Sequence, residues 1–361
     1  MKINILWNKL TSFGSLLLIL GSSHVSATNY ECFEPYYLEK GGCFTGVDIL
    51  YWAAFQKNLE FASMEDIDSE TTEPHLAGPG SIRFMEYDWN PGLRAYFGYQ
   101  SPCDFWDARI IYTYYHAEAV KNIMDSNDQD SFQYSAALLI PTTPGLAEGF
   151  QCGQGKTTLD YTTIDLQAGL TIDCLRRSLI VHPYFGLRFL EIDRDLTAHY
   201  DNELLPGFIG TDSDIIRDAV DYHYDFRGAG LHLGMDITHH LFCNVNFVSD
   251  CATSLIIGES DIQYKQLVQT KVGEEFITQE TLVDLSEKEC ILVPGIHISG
   301  AFEWRYDCRN CQYCICRTGY EFHYWFQTPQ FRKIFETGKT LDANDGNLGL
   351  HGAFIKLEYH F

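Results

Sequence analysis

Basic residues are scarce in this chain of 361 residues. Its 25 Lys and Arg stand against 49 Asp and Glu, a formal net charge of −24. That balance excludes a nucleic-acid binder and a basic membrane-surface protein. Beyond the first 27 residues there is no uninterrupted apolar stretch of the roughly 20 residues a spanning helix requires. A membrane protein made from the remainder has to cross with strands closed into a barrel, because lipid leaves no other way to satisfy the backbone. The motifs of common chemistries are missing as well. The chain has no nucleophile elbow, no H-E-x-x-H and no phosphate loop. His239-His240 reads as a turn pair. The expectation is a protein that is not an enzyme and carries no cofactor and no metal.

Residues 1–27 read as a secretory signal peptide. Lys2 and Lys9 form its positive start, Phe13 to Gly21 its short apolar run, and Val25-Ser26-Ala27 a small-residue cleavage site. Export makes disulfides the default for the 12 cysteines. The 22 Tyr, 24 Phe and 29 scattered Gly suit a barrel with aromatic girdles.

Hydrophobic periodicity carries the fold. From Thr163 to Asp173 apolar residues (Ile164, Leu166, Ala168, Leu170, Ile172) alternate with polar ones, a period of two over the length of a tilted spanning strand. Similar double rows run through Leu93–Tyr99, Trp106–Tyr114, Leu179–Phe189, Ala229–Ile237, Ile296–Trp304 and Tyr320–Phe326. They predict an all-β, transmembrane, antiparallel up-and-down barrel of ten strands near 44–56, 81–100, 104–117, 158–173, 178–194, 222–237, 240–258, 289–306, 315–327 and 347–361. Pro91 and the ragged 240–258 stretch leave a twelve-strand reading open. Short gaps (Ser101–Cys103, Cys174–Arg177, Thr238–His239, Asp307–Cys314) alternate with long ones, among them Asp195–Asp221 and Glu259–Lys288. Short periplasmic turns and long extracellular loops follow from that layout. The expected organisation is 1–27 signal peptide, 28–43 periplasmic N-terminal segment and 44–361 barrel, in the outer membrane. The row Leu357, Tyr359 and Phe361 at the end reads as the signal taken up by the barrel-assembly machinery.

Several segments carry a family likeness: Asp48-Ile49-Leu50-Tyr51-Trp52, Trp89-Asn90-Pro91-Gly92-Leu93-Arg94, Phe105-Trp106-Asp107-Ala108-Arg109 and His182-Pro183-Tyr184-Phe185-Gly186-Leu187-Arg188. Gly228–Asp236 and Asn347–Gly352 complete the set. In that order the chain resembles the Legionella-type major outer membrane protein family, which implies a pore-forming outer-membrane barrel of porin or adhesin type. Its cysteine richness looks more like cross-linked chlamydial-type envelopes.

Two constellations are candidate sites. Arg94, Arg109, Asp165, Asp173, Arg188, Asp236, Glu303, Arg305 and Glu321 fall in polar rows, so they are expected to line the lumen. Opposed charges could order water in a pore or pair and plug it. Ten strands sit near the limit at which side chains fill a barrel, so a narrow or gated pore for small solutes is expected; a closed barrel acting as adhesin or structural protein is the alternative. Loop residues Ala136–Pro141 are a candidate constriction. The cysteines Cys308, Cys311, Cys314 and Cys316, with Cys103 and Cys174, are expected at periplasmic turns, where they could build a disulfide-linked envelope. Arg309 and Arg317 flank the run and are expected to favour its thiolates. Expected partners are outer-membrane lipid, the assembly machinery, periplasmic cysteine-rich envelope proteins and a second copy of the chain.

Overall fold

The computed structural model describes residues 41–361 apart from 57–58, 67–80, 103–105, 125–131, 137–151, 175–178, 204–214, 243, 273–274, 309–311, 329–331, 335–340 and 344–345. The signal peptide, most of segment 28–43, Cys103 and Cys311 therefore lie outside the described residues.

Ten long strands make the barrel. They are β1 (Gly42–Gln56), β2 (Trp89–Gln100), β3 (Trp106–Met124), β4 (Cys152–Leu170), β5 (Leu179–Glu203), β6 (Ile215–Phe242), β7 (Val245–Val272), β8 (Glu275–Asp307), β9 (Tyr313–Trp325) and β10 (Leu348–His360). Each pairs antiparallel with the next, and β10 returns to β1. Closure removes the sheet edges at belt level. At the seam Phe361 N donates to Cys43 O at 2.9 Å, and Cys43 N donates to Phe361 O at 3.1 Å. Pro91 sits inside β2, opposite Tyr51. The strand count is ten.

Outward residues form a lipid-facing belt: Ile49, Leu93, Phe97, Ile110, Leu166, Phe185, Leu187, Leu231, Leu255, Ile257, Ile298 and Leu357 are all exposed. From Phe247 to Ile257, at about 3.4 Å per residue and about 40° of tilt, the belt is roughly 25 Å tall. Aromatic residues edge it on both sides. Tyr99 packs on Trp106 (6.0 Å) and Phe247 on Phe302 (5.6 Å) at the short-turn end, and Tyr51 stacks on Trp89 (5.5 Å) at the other. Glycines make room on the inner face: Trp325 lies over its cross-strand partner Gly295, where an added Cβ would come within 2.4 Å of the ring.

Four strands run far beyond the belt. β5, β6, β7 and β8 are 25, 28, 28 and 33 residues long. This corrects the loops expected at Asp195–Asp221 and Glu259–Lys288, which are largely continuous ladder. Above the belt the apolar side changes: Leu190, Ile192, Leu196 and Ala198 are buried inside, while Glu191, Asp193 and Asp195 face out. His239-His240 belongs to β6 rather than to a turn, because the ladder continues to Phe242 paired with Val245. Short strands Glu60–Asp66, Ser81–Phe84 and Phe132–Ala136 form a separate three-stranded sheet. The side chains of the candidate constriction Ala136–Pro141 are outside the described residues.

Candidate functional site

The lumen is filled in three layers. At the short-turn end, the periplasmic side of outer-membrane barrels, His360 stacks between Tyr313 (4.0 Å) and Phe44 (5.1 Å). Arg305 lies over Tyr313 at 4.1 Å. Lys356 lies over Tyr96 and pairs with Glu358 at 2.8 Å.

The middle layer is an ion-pair network at belt level. Arg94 donates to Asp48 at 3.0 Å and to both oxygens of Glu321 at 3.1 Å. Arg188 grips Asp165 through two bonds of 2.6 Å and reaches Ser254 at 3.2 Å. Arg109 meets Asp236 at 3.5 Å, and His182 bridges Asp107 and Asp236. Arg317 holds Glu303 at 2.6 Å, with Asn246 on the other oxygen at 3.0 Å. His297 touches Asp250 at 2.9 Å and Glu321 at 3.2 Å. Opposite charges thus meet in pairs rather than as facing walls. The cavity left between them is about 100 Å³, room for several water molecules at about 10–15 Å³ of such space each.

The third layer is apolar. Trp52, Tyr115, Tyr161 and Trp325 cover the network, and Leu50, Leu159, Leu190, Phe226, Ile256, Leu348 and Leu350 pack in one cluster with them. Leu59, Met85 and Tyr87 join this cluster from the connection between β1 and β2. Met85 N donates to Leu59 O at 2.9 Å, and Tyr87 Oη lies 3.0 Å from Thr157 Oγ1.

Arg94, Arg109, Asp165, Arg188, Asp236, Glu303, Arg305 and Glu321 all belong to this interior. Asp173 lies in the short strand Ile172–Cys174, its side chain outside the described residues. Sequence reading missed Asp48, concealed in an apolar stretch, and Arg317. Arg317 was expected to serve the cysteines, but alternation turns it inward to Glu303. Those cysteines are spread differently from the expectation too. The turn closes at Cys308, whose N donates to Gln312 O at 2.7 Å, so Cys314 and Cys316 belong to β9 and not to the turn. Cys316 lies opposite the exposed Trp304 and Leu357 on the outer face. Cys308 and Cys314 bring their sulfurs to 3.8 Å, and both are free thiols, as are Cys43, Cys174 and Cys316. Leu357, Tyr359 and Phe361 form one exposed row on β10.

Outside, directly above the belt, Asp160, Asp193, Asp225 and Asp261 stand opposite one another on consecutive strands. Like charges in that register repel. Relief comes from His116 on Asp160 (3.0 Å), Arg227 on Asp225 (3.3 Å) and Lys288 on Asp261 (2.8 Å). One row higher, His223 lies 2.7 Å from Asp195. Burial opposes its charge, but the hydrogen bond to Asp195 and the charges of Asp193, Asp195 and Asp225 outweigh that and raise its pKa. Inside the extended wall, burial alone pushes Asp218 up to about 6.

A closed antiparallel barrel with an apolar belt, two aromatic girdles and a polar interior defines a bacterial outer-membrane β-barrel protein. The chain belongs to the family described as Legionella pneumophila major outer membrane protein precursor, whose model matches residues 39–361. No curated protein matches it. Among solved structures it is similar to the outer membrane protease OmpT of Escherichia coli, at 8% identity and a TM-score of 0.42, covering 92% of this chain and 100% of that one. It is also similar to the toluene transporter TodX of Pseudomonas putida, at 6% identity and a TM-score of 0.25, over 91% and 90% of the two chains. A FadL homologue of Pseudomonas aeruginosa follows, at 7% identity and a TM-score of 0.23, over 89% and 90%.

Proposed function

We propose that the protein is a structural, surface-presenting barrel of the outer membrane whose lumen conducts no solute in its resting form. The observation that carries this is the paired interior. Arg94, Arg188 and Arg317 are each neutralised by carboxylates within 3.1 Å, leaving a cavity of about 100 Å³. Buried ion pairs resist opening, because separating them leaves uncompensated charge in a medium of low dielectric. What the barrel presents is the wall of β5–β8 and the long connections beside it. Its partners in this reading are outer-membrane lipid at the belt, the assembly machinery at Leu357, Tyr359 and Phe361, and a second copy of the chain. No catalysis is assigned to it. Single-channel recording of refolded protein in planar bilayers is the test, with silence expected and reproducible steps contradicting it.

A gated narrow pore is the second reading, and one feature favours it. The outermost closure by Leu59, Met85 and Tyr87 comes from a connection rather than from the wall, so it could withdraw without breaking the ladder. A disulfide-linked envelope belongs to either reading. Cys174 and Cys308 lie at the short-turn end and Cys314 beside it, where thiol–disulfide exchange with periplasmic cysteine-rich proteins is geometrically open. Unreduced envelope extracts should then show high-mass species that reductant collapses to monomer. Monomer alone without reductant would refute that part.

A further inference from the structure

We propose that His297, Glu321 and His323 bind a divalent transition-metal ion of the zinc class inside the barrel. His297 on β8 and His323 on β9 stand directly opposite in register, with Glu321 on the same face two residues earlier. One ligand atom from each lies within 4.8 Å of the others. Glu321 Oε2 is 3.2 Å from His297 Nε2 and 3.5 Å from His323 Nε2. Tetrahedral zinc with bonds of about 2.0–2.1 Å holds its ligand atoms roughly 3.3 Å apart. Two edges of such a tetrahedron are therefore in place. Two imidazoles and a carboxylate suit zinc and its first-row neighbours; calcium and magnesium prefer oxygen alone.

Two independent features point to an ion rather than to a chance cluster. His323 is only 5% exposed; its Nδ1 has no hydrogen-bond partner and its Nε2 has only the long 3.5 Å contact with Glu321. A buried polar group in that condition costs free energy that a ligand would recover. Next, Asp250 Oδ2 holds His297 Nδ1 at 2.9 Å, and Tyr184 donates to the other Asp250 oxygen at 3.0 Å. Carboxylates placed on the far nitrogen are how proteins orient metal-bound imidazoles.

The two imidazoles stack at 4.1 Å with 14° between their planes, so one ring tilts as the ion enters. The ligating nitrogens must be free of protons, so ion binding should weaken as pH falls. It would tie β8 to β9 and fix Glu321, which in turn anchors Arg94 and Trp52 (3.1 Å each). Its role is to hold the closed interior together.

Cobalt titration of the refolded, chelator-stripped chain tests this. One Co²⁺ per chain is expected, with tetrahedral d–d bands and no thiolate-to-cobalt charge-transfer band, which separates the site from the cysteines. His323→Gln and His297→Gln should lose those bands. His223→Gln, in the exposed group with Asp193 and Asp195, should keep them. X-ray absorption of the zinc-loaded wild type should show two imidazole ligands, a readout that needs no variant to fold. Absence of uptake by the wild type, bound cobalt carried wholly by thiolate, an absorption spectrum without imidazole, or unchanged bands in a folded His323→Gln would each overturn the proposal.

Discussion

Arg188 and Asp165 face each other across the β4–β5 pair as a fork on a fork, Nε to Oδ1 and Nη2 to Oδ2, both at 2.6 Å. Both side chains are buried. Removing one partner strands the other's charge, so Asp165→Asn or Arg188→Leu should each cost about 3–5 kcal/mol. Replacing both with apolar residues of similar volume should cost far less. Urea unfolding of the refolded barrel, followed by tryptophan fluorescence, compares the three. A double variant as unstable as the singles together would show that the pair is not the unit.

The apolar cap separates in the same way. Met85 is 2% exposed within the cluster that closes the outer lumen, and Met85→Ala should destabilise it by about 2–5 kcal/mol. Hydrogen exchange should quicken around Leu59 and Met85 while the ion-pair layer at Arg94 keeps its protection. Conductance appearing in this variant alone would favour the gated pore.

Acid should tighten the extended wall. Burial raises Asp218 from 3.8 to about 6, so the folded state binds the proton more strongly than the unfolded one. That contribution is complete below about pH 4 and is lost as pH rises through 6. His223 is raised as well, with burial opposing and Asp195, Asp193 and Asp225 prevailing. Its contribution is present below its unfolded value of 6.5 and fades as pH climbs past the folded one. The urea midpoint should therefore be higher at pH 5 than at pH 8. Asp218→Asn should raise the pH 8 midpoint and flatten the dependence. A midpoint that rises with pH would contradict both assignments.

At the seam Phe361 exchanges two backbone hydrogen bonds with Cys43, and its side chain is exposed on the lipid side. Deleting Phe361 removes the last rung of closure and the end of the outward row. Folding into vesicles should slow several-fold, read as the time course of heat-modifiable migration, with the completed barrel otherwise unchanged. An unaltered time course would remove the assembly role.

The membrane portion was legible because its alternation has one phase. Leu187 and Phe189 face out while Gly186 and Arg188 face in, and a period of two reveals both rows. At the outer edge of the belt the phase inverts without a break in the strand. Glu191 and Asp193 take the outer row and Ile192 and Leu196 the inner one, so the apolar outer row ends at Phe189 although β5 continues to Glu203. The same inversion runs through β6, where Tyr222, Tyr224 and Phe226 point inward and Leu231 and Leu233 outward; the expected strand at 222–237 misses its outer end, which starts at Ile215. In the candidate site, Arg94, Asp165, Arg188 and Glu321 could be read from their rows. Which residues pair could not, since the register that sets Arg94 opposite Asp48, Arg188 opposite Asp165 and Arg317 opposite Glu303 is not encoded in the spacing along one strand. Asp48 and Arg317 are the clearest cases. Met85 and Tyr87 fall in the strand expected at 81–100, but that stretch is split into the short strand Ser81–Phe84 and the barrel strand from Trp89, and the residues between them turn in to the cap.

The closed interior is tested most directly by planar-bilayer recording of the refolded protein, with folding confirmed on the same sample by heat-modifiable migration. With Arg94, Arg188 and Arg317 paired and the apolar cap in place, the bilayer should stay silent at all applied voltages. Reproducible unitary steps from correctly folded wild-type protein would contradict the account.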